Sequence, residues 1–212
     1  SQNPFYQSSN FPKTDIADWD SNYSGPSPYH LNYCGFEACH PGYAFGPHSR
    51  TSYLLHIVFS GKGKYYVEGK VYSIESGQIF LIYPGITTTY QADTEDPWSY
   101  GWIGFSGLRC PFILSQMGFS ADNHVITIAN IEPLRACIQS MMDTHKLTYA
   151  NELYRTSHLL HFFAYIIEQQ SDELTASRSY PRSVYAQLAM QYMENNYMNK
   201  IKITELADYI GV

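Results

Sequence analysis

Three aromatic residues at alternating positions, Trp98, Tyr100 and Trp102, are the side chains in this sequence best suited to bind a polar, ring-shaped molecule. Side chains alternate between the two faces of a strand, so these three would share one face while Ile103 and Phe105 take the other. A flat indole offers an apolar plane to the C–H face of a pyranose, and polar neighbours can then bind the hydroxyls. The alternative is that these aromatic residues are ordinary core.

Other polar residues are candidates for the same site. His56 lies in an otherwise apolar run, where a histidine is more often a hydrogen-bonded core residue than a ligand contact. Glu37 and His48 are weaker candidates, and the threonines at 87–89 are ordinary strand residues that could supply a hydroxyl. The residues themselves therefore leave both the ligand-binding and the core interpretation open for His56.

The sequence contains little that indicates a metal site or a catalytic nucleophile. None of the eight histidines forms a His-x-His pair, and His158 and His161 share a helix face without an evident carboxylate partner. Nucleophile elbows, phosphate loops and dinucleotide fingerprints are absent. We predict no metal, no cofactor and no enzymatic activity, with a metal-dependent barrel enzyme as the alternative. The cysteines lack Cys-x-x-Cys spacing and are expected to be free thiols: Cys34, Cys39, Cys110 and Cys137.

Composition indicates a folded protein that is not itself a nucleic-acid surface. Of the 212 residues, 44% are hydrophobic and only 15% are charged, which predicts a packed core. The net charge is −6 and no strong basic patch occurs, whereas phosphate contacts dominate nucleic-acid affinity. With no signal peptide and no long apolar run, we expect a cytoplasmic protein without a membrane segment.

Short apolar and aromatic runs separated by Gly and Pro predict β-strands in the first half of the chain. Residues 69 and 70 have the composition of a tight hairpin turn between two of the runs. Many short strands at regular spacing are typical of an antiparallel sandwich or barrel. The predicted strands are 53–59, 65–67, 71–74, 79–83, 87–92 and 98–105.

Helical periodicity follows after Gly107. The predicted helices are 133–145, with Pro133 near its start, then 152–173 and 182–196. The helix at 152–173 is apolar over so much of its girth that it needs two partners. We assign one side to the strands and the other to a second subunit, the alternative being that the helix packs within one domain. The predicted dimerisation residues are Leu153, Leu160, Phe163 and Ile167.

The chain ends in a segment with helix-turn-helix features. Thr204 can cap a short helix, Gly211 can end it with a positive φ, and the small Ala207 allows close helix contact, with Leu206 beside it. The predicted organisation is an N-terminal arm at 1–27, a barrel at 28–107, a helical dimerisation region at 108–173, a linker at 174–181, and an incomplete helix-turn-helix domain at 182–212.

Two separate stretches resemble the AraC/XylS family of transcription regulators. The C-terminal stretch, Tyr-Met-Glu-Asn-Asn-Tyr followed by Ile201 to Ala207 and then Gly211, resembles the opening of the family's DNA-binding domain. The N-terminal half resembles its cupin-like sensor domain, particularly in the raffinose, melibiose and multiple-sugar operon activators of Gram-positive bacteria. The segments that carry this likeness are Tyr53-Leu54-Leu55-His56, Ser60-Gly61-Lys62-Gly63, Gly77 to Pro84, Tyr90-Gln91-Ala92-Asp93, Asp96-Pro97-Trp98 and Trp102-Ile103-Gly104-Phe105.

This resemblance implies an α+β fold: a cupin-like antiparallel β-barrel (double-stranded β-helix) followed by helices, ending in a partial helix-turn-helix. It implies a homodimer that binds a sugar, an α-galactoside or related oligosaccharide, with a non-sugar effector of the same family as the alternative. Similarity to arabinose-type sensors implies that Trp102 stacks on the sugar, that Tyr90 and Tyr100 hydrogen-bond to it, and that Arg50 binds its hydroxyls. Trp98 is expected in the wall or at the rim.

The resemblance also bears on the two ends of the chain. It implies that the arm, with Phe5, Tyr6 and Phe11, closes over the ligand in one state. It implies DNA binding by the full-length protein, but we expect no specific operator binding by this chain, because the reading helix is absent. The formal charges from residue 182 onward also roughly cancel: Arg182, Lys200 and Lys202 against Glu194, Glu205 and Asp208.

Overall fold

Ten β-strands form two antiparallel sheets in the computed structural model, which describes residues 5–12, 27–170 and 182–211. The larger sheet has the order β1-β2-β9-β4-β7-β10 and the smaller one the order β3-β8-β5-β6. The antiparallel architecture predicted from the short runs is confirmed. The strands are β1 (Tyr6–Asn10), β2 (His30–Ala38), β3 (Ala44–His48), β4 (Tyr53–Ser60), β5 (Lys62–Val67), β6 (Lys70–Glu75), β7 (Gln78–Ile82), β8 (Thr88–Ala92), β9 (Ser99–Ser106) and β10 (Val125–Thr127).

The predicted helices follow the strands, as the periodicity predicts, whereas α1 lies between β9 and β10 and was not predicted. The helices are α1 (Cys110–Gln116), α2 (Glu132–Asp143), α3 (Tyr149–Glu168), α4 (Arg182–Asn196) and α5 (Ile203–Ile210). Pro133 lies in the first turn of α2 as expected, and α4 has the predicted bounds. Helix α3 begins three residues earlier than predicted because the Thr148 side chain accepts a hydrogen bond from the Asn151 amide. Within the described ranges, no helix combines the length and apolarity needed to cross a membrane.

Two hydrophobic cores lie on opposite faces of the six-stranded sheet. The inner core fills the space between the sheets, and the outer core joins the six-stranded sheet to α1, α2 and α3. Trp98, Tyr100 and Trp102 belong to the inner core, while Ile103 and Phe105 belong to the outer one. The alternation predicted for this strand is therefore confirmed.

Strands from outside the predicted barrel limits complete the larger sheet. Strand β1, within the predicted arm, pairs with β2 along its whole length, from Tyr6 opposite Glu37 to Asn10 opposite Tyr33. Beyond the predicted end at residue 107, β10 pairs with β7. Thus the boundaries at 27 and 107 both cut through the sheet that the chain builds.

The β5–β6 hairpin turns one residue earlier than predicted. Val67 lies opposite Lys70, so the two turn residues are Glu68 and Gly69, with φ angles of 47° and 76°. A two-residue turn with positive φ at both positions matches the twist of the flanking strands. Lys70 is consequently the first residue of β6 rather than part of the turn.

One of the four predicted dimerisation residues of α3 lies in the core of the chain, whereas two others are exposed. Phe163 is fully buried, with its ring 5.0 Å from that of Phe105, so its assignment to a subunit interface is wrong. Leu153 and Leu160 are exposed on the opposite side, and Ile167 is half-buried. When the apolar surface of a helix is wider than one seam, the helix sequence alone does not show which side faces the core. The position of the sheet decides this.

The chain divides into two units, Ser1–Gln170 and Ser171–Val212. In the second unit the rings of Tyr192 and Tyr209 pack 4.9 Å apart, and Leu206 and Ala207 are half-buried. The predicted cap is wrong: α5 starts at Ile203, which places Thr204 inside its first turn. Gly211 ends α5 with a φ of 76°, as predicted. The predicted linker at 174–181 lies outside the described residues.

Candidate functional site

A cavity of about 360 Å³ opens into the inner core beside β1. Its wall takes side chains from both sheets, from β1 and from the segment between β3 and β4. The volume falls within the size range of small-molecule sites. The lining residues are Tyr6, Ser8, Asn10, Tyr33, Glu37, Tyr43, Phe45, Arg50, Leu54, His56, Tyr90, Tyr100 and Trp102.

Six of the seven predicted ligand-binding residues meet in this cavity: Glu37, Arg50, His56, Tyr90, Tyr100 and Trp102. Trp98 does not line it. The Trp98 side chain is 1% exposed and stacks on Phe80 with ring centroids 5.7 Å apart. It is therefore a core residue whose ring packs against those of Tyr90 and Tyr100. The prediction that Trp98 contacts the ligand is wrong.

Trp102 forms an aromatic plane that β1 partly covers. Its side chain is 8% exposed, and the Tyr6 ring lies 5.3 Å from it at an interplanar angle of 30°. Gly35 of β2 lies beneath this contact. A Cβ atom at Gly35 would overlap the Gln7 carbonyl oxygen and approach Trp102 Cζ2 to 2.5 Å. The absence of a side chain at Gly35 therefore allows the strand and the indole to lie together.

A carboxylate and a phenol are paired in the same wall. Glu37 and Tyr100 lie directly opposite each other on β2 and β9, and the Tyr100 hydroxyl donates to Glu37 Oε2 at 3.0 Å. Burial raises the pKa of Tyr100, which keeps this hydroxyl protonated and able to donate. The carboxyl oxygens of Glu37 are acceptors, as the bond from Tyr100 shows, so they suit a ligand group that donates.

His56 is held between aromatic rings at the base of the cavity. It stacks on Phe80 with ring centroids 4.5 Å apart and meets Tyr90 and Tyr100 at 4.7 and 4.9 Å. Burial, and secondarily the charge of Arg50, lower its pKa, so the imidazole is neutral and has one donor and one acceptor. Among the described residues, its buried Nδ1 has no hydrogen-bond partner.

Arg50 places a positive charge at the opposite side of the wall. Its guanidinium lies 5.1 Å above the Phe45 ring, which in turn stacks on Tyr90 at 5.4 Å. Burial raises the pKa of Tyr90, and the charge of Arg50 acts in the opposite direction. The guanidinium offers donors only, and thus complements the acceptor character of Glu37.

The structure also brings further residues to the cavity, some of them from the arm that was expected to close over the ligand. Tyr6, Ser8 and Asn10 alternate along β1 and all line the cavity, together with Tyr33 and Phe45. Polar residues occupy both faces of β1, so the sequence carries no apolar alternation that could have revealed this strand. No group of three or more His, Cys, Asp or Glu side chains in the described ranges is arranged to hold a metal ion.

A second, larger cleft of about 550 Å³ lies elsewhere, over the solvent face of the four-stranded sheet. Exposed polar side chains such as Lys62, Lys64 and Gln91 line it, with Tyr66 as its one aromatic residue among the described lining. It lacks the convergence of buried polar groups on an aromatic plane that the inner cavity has. We therefore take the inner cavity as the candidate site.

Comparisons with known proteins identify the family of this barrel. Residues 30–171 match the model of the AraC-like ligand binding domain. The Msm operon regulatory protein of Streptococcus mutans is 30% identical over 198 residues, which cover 86% of this chain and 66% of that protein. The raffinose operon transcriptional regulatory protein RafR of Pediococcus pentosaceus is 26% identical (84% of this chain, 65% of that protein).

The lactose operon transcription activator of Staphylococcus xylosus is 23% identical, over 84% of this chain and 64% of that protein. The chain thus spans slightly less than two thirds of the length of these relatives. Both the family expected from the sequence and its cupin-type architecture are confirmed. The chain belongs to the AraC family and carries its cupin-type ligand-binding barrel followed by helices.

Proposed function

We propose that the inner cavity binds a sugar, an α-galactoside or a related oligosaccharide. The chain would then be the ligand-sensing and dimerisation part of a transcription regulator that controls a carbohydrate-utilisation operon. The observation that carries this proposal is the Trp102 plane within a wall of converging donors and acceptors. The sugar-operon names of the relatives support it.

The polarity of the wall fits a neutral polyol. Trp102 offers an apolar face for the C–H side of a pyranose. Glu37 accepts from sugar hydroxyls, Arg50 donates to sugar oxygens, and the unpartnered Nδ1 of His56 provides a further polar contact. A hydroxyl can act as donor or acceptor, so a polyol can hydrogen-bond to all three groups, whereas an apolar ligand would remove them from water without offering any such bond.

We further propose that two copies of the chain associate through the exposed side of α3. Leu153 and Leu160 are seven residues apart on this side, and the small residues Ser157 and Ala164 continue the same stripe. Such spacing is typical of a helix-pair seam. Phe163 stabilises this helix from the inside. The complete regulator would bind DNA through the helix-turn-helix that α4 and α5 begin.

Strand β1 is the element through which occupancy of the cavity would change the protein. Its Tyr6, Ser8 and Asn10 form one wall of the cavity. A ligand that contacts them binds the covered and uncovered states with different affinities, which is what coupling requires. The arm function expected from the resemblance thus becomes a specific proposal for residues 6–10.

Isothermal titration of the purified chain with a sugar panel tests the ligand proposal. Raffinose and melibiose represent the α-galactosides, lactose a β-galactoside, and maltose a glucoside. We expect an α-galactoside to bind with one site per chain. Failure of every galactoside and glucoside, together with binding of a non-sugar compound, would show that this member of the family senses something else.

A further inference from the structure

We propose that Phe11, Glu152 and Arg155 form an arm latch that joins strand β1 to the first turns of α3, so that these two elements open and close as one cooperative unit. The latch itself goes beyond the proposed function. Only the effect of a bound ligand on the latch rests on that function. The latch would connect the cover of the ligand cavity with the helix whose outer side carries Leu153.

The arm side of the latch is a buried aromatic ring. Phe11 follows β1 directly, its amide donates to the Asn32 carbonyl at 2.8 Å, and its side chain lies in the outer core. The Arg155 guanidinium lies 4.9 Å from the centre of the ring. A cation over a ring face is attracted by the ring quadrupole, most strongly where both are removed from water.

The helix side of the latch is an ion pair between the buried Arg155 and the half-buried Glu152. Arg155 is 4% exposed and donates to Glu152 Oε2 at 2.8 Å and to the backbone carbonyls of Thr144 and Lys146. His30, whose Nδ1 lies 3.7 Å from Glu152 Oε1, lowers the pKa of Glu152 most, and Arg155 acts in the same direction. Glu152 therefore remains ionised as the partner of Arg155.

Burial of the Arg155 guanidinium makes it depend on all of its partners. An unpaired guanidinium is costly to remove from water, so Arg155 stays buried only while its partners are in place. Those partners come from the α2–α3 connection, from the first turn of α3 and, through Phe11, from the arm. The loss of one of them weakens the position of the others, which makes the latch cooperative.

The two ends of the arm segment lie at two different sites. Tyr6 contacts Trp102 in the cavity, and Phe11, five residues on, contacts Arg155. An extended strand covers about 17 Å over five residues. Since β1 is paired with β2 throughout, it moves as a segment rather than residue by residue. A ligand that contacts β1 and holds Tyr6 in place would therefore also stabilise the turn of α3 that carries Leu153.

Hydrogen exchange of the ligand-free chain tests the latch directly. The variants are Phe11→Ala and Phe11→Leu, the second of which keeps the apolar volume but removes the ring. The matched control is Arg135→Met: Arg135 also stacks on a ring, that of Phe59 at 4.0 Å, and also pairs with a glutamate three residues before it, but it lies on α2.

We expect both Phe11 variants to lower protection at 6–10 and also at 152–156 by at least about tenfold. Arg135→Met should leave both segments unchanged. Loss of protection confined to 6–10 in Phe11→Leu would refute the latch, as would unchanged protection in both segments. If Phe11→Ala fails to fold, Phe11→Leu alone decides between these outcomes.

Melibiose, as the probe, separates this inference from the proposed function. In the unmodified chain, saturating melibiose should raise protection at both 6–10 and 152–156. In Phe11→Leu the sugar should still bind, but the increase at 152–156 should disappear. An equal increase in the variant refutes the latch. If neither melibiose nor any other sugar binds, the sugar proposal fails, while the ligand-free exchange still decides whether the latch exists.

Discussion

The two cores of this barrel use the same strands for different purposes. On the helix side of the six-stranded sheet, the fully buried residues are aliphatic side chains, phenylalanines, methionines and cysteines. Between the sheets, buried Trp and Tyr rings are interspersed with aliphatic side chains, with His56 among them, and this core opens into the cavity. Under the proposed function, the outer face of the sheet would serve stability alone while the inner face would also serve recognition, with β9 contributing to both.

The largest effect is expected in the outer core. Phe163→Ala removes a fully buried ring and should lower the free energy of unfolding by about 3–5 kcal/mol, measured in urea. Leu160→Ala is the control on the same helix: Leu160 is 39% exposed, and its truncation should cost below about 1.5 kcal/mol in the monomer. Equal costs for the two variants would contradict the assignment of Phe163 to the core.

The inner core should respond mainly in ligand affinity. Trp102→Ala removes the stacking plane and is expected to weaken sugar binding by about 2 kcal/mol, more than tenfold, with the fold retained. Tyr66→Ala, on the solvent face of the other sheet, is the control. Titration calorimetry and circular dichroism measure both properties. An unchanged affinity in a folded Trp102 variant would remove this residue from the site.

A third prediction concerns the exposed side of α3, which faces away from the outer core. Leu160→Glu places a charge in the exposed stripe of α3 and should weaken self-association by at least about tenfold, or 1.4 kcal/mol. Sedimentation velocity over a concentration series measures this. His161→Glu, at an exposed neighbouring position, is the control. If both variants sediment like the unmodified chain, α3 does not form the subunit contact.

The smallest effect is expected from a single hydroxyl. Tyr100→Phe keeps the ring but removes the donor to Glu37, and should weaken sugar binding by about 1 kcal/mol, roughly fivefold. Tyr65→Phe is a fitting control, since its hydroxyl donates to the Leu81 carbonyl away from the cavity. A larger loss than that of Trp102→Ala would mean that polar contacts, rather than stacking, contribute most of the affinity for the sugar.

The sequence predicted the barrel because alternation in strands depends directly on burial, whereas Arg50 and Tyr90 entered the predicted site through the resemblance to arabinose-type sensors. In β9, period two separates Trp102 from Ile103 without further information. In α3, by contrast, apolar residues cover more than half of the circumference. The choice between Phe163 and Leu160 as the inward residue depended on the sheet, which the helix sequence does not encode locally.

Strand β1 shows a second reason why part of the structure was not predicted from the sequence. Tyr-Gln-Ser-Ser-Asn has no apolar alternation, because its side chains face a polar cavity on one side and solvent on the other. Its strand conformation comes from hydrogen bonding to the edge of β2, a partner more than twenty residues away in sequence. Tertiary pairing of this kind overrides local propensity. The wall formed by β1 was therefore the part of the cavity that strand patterns did not reveal.

Gly35 gives this site an unusual genetic sensitivity. One added methyl group at this position cannot coexist with both the β1 backbone and the Trp102 ring. A Gly35→Ala codon change would therefore uncouple the arm from the indole, although residue 35 has no side chain with which to touch a ligand. Under the proposed function, a selection for variants of the complete regulator that no longer respond to its ligand should recover mutations at this codon alongside those at Trp102.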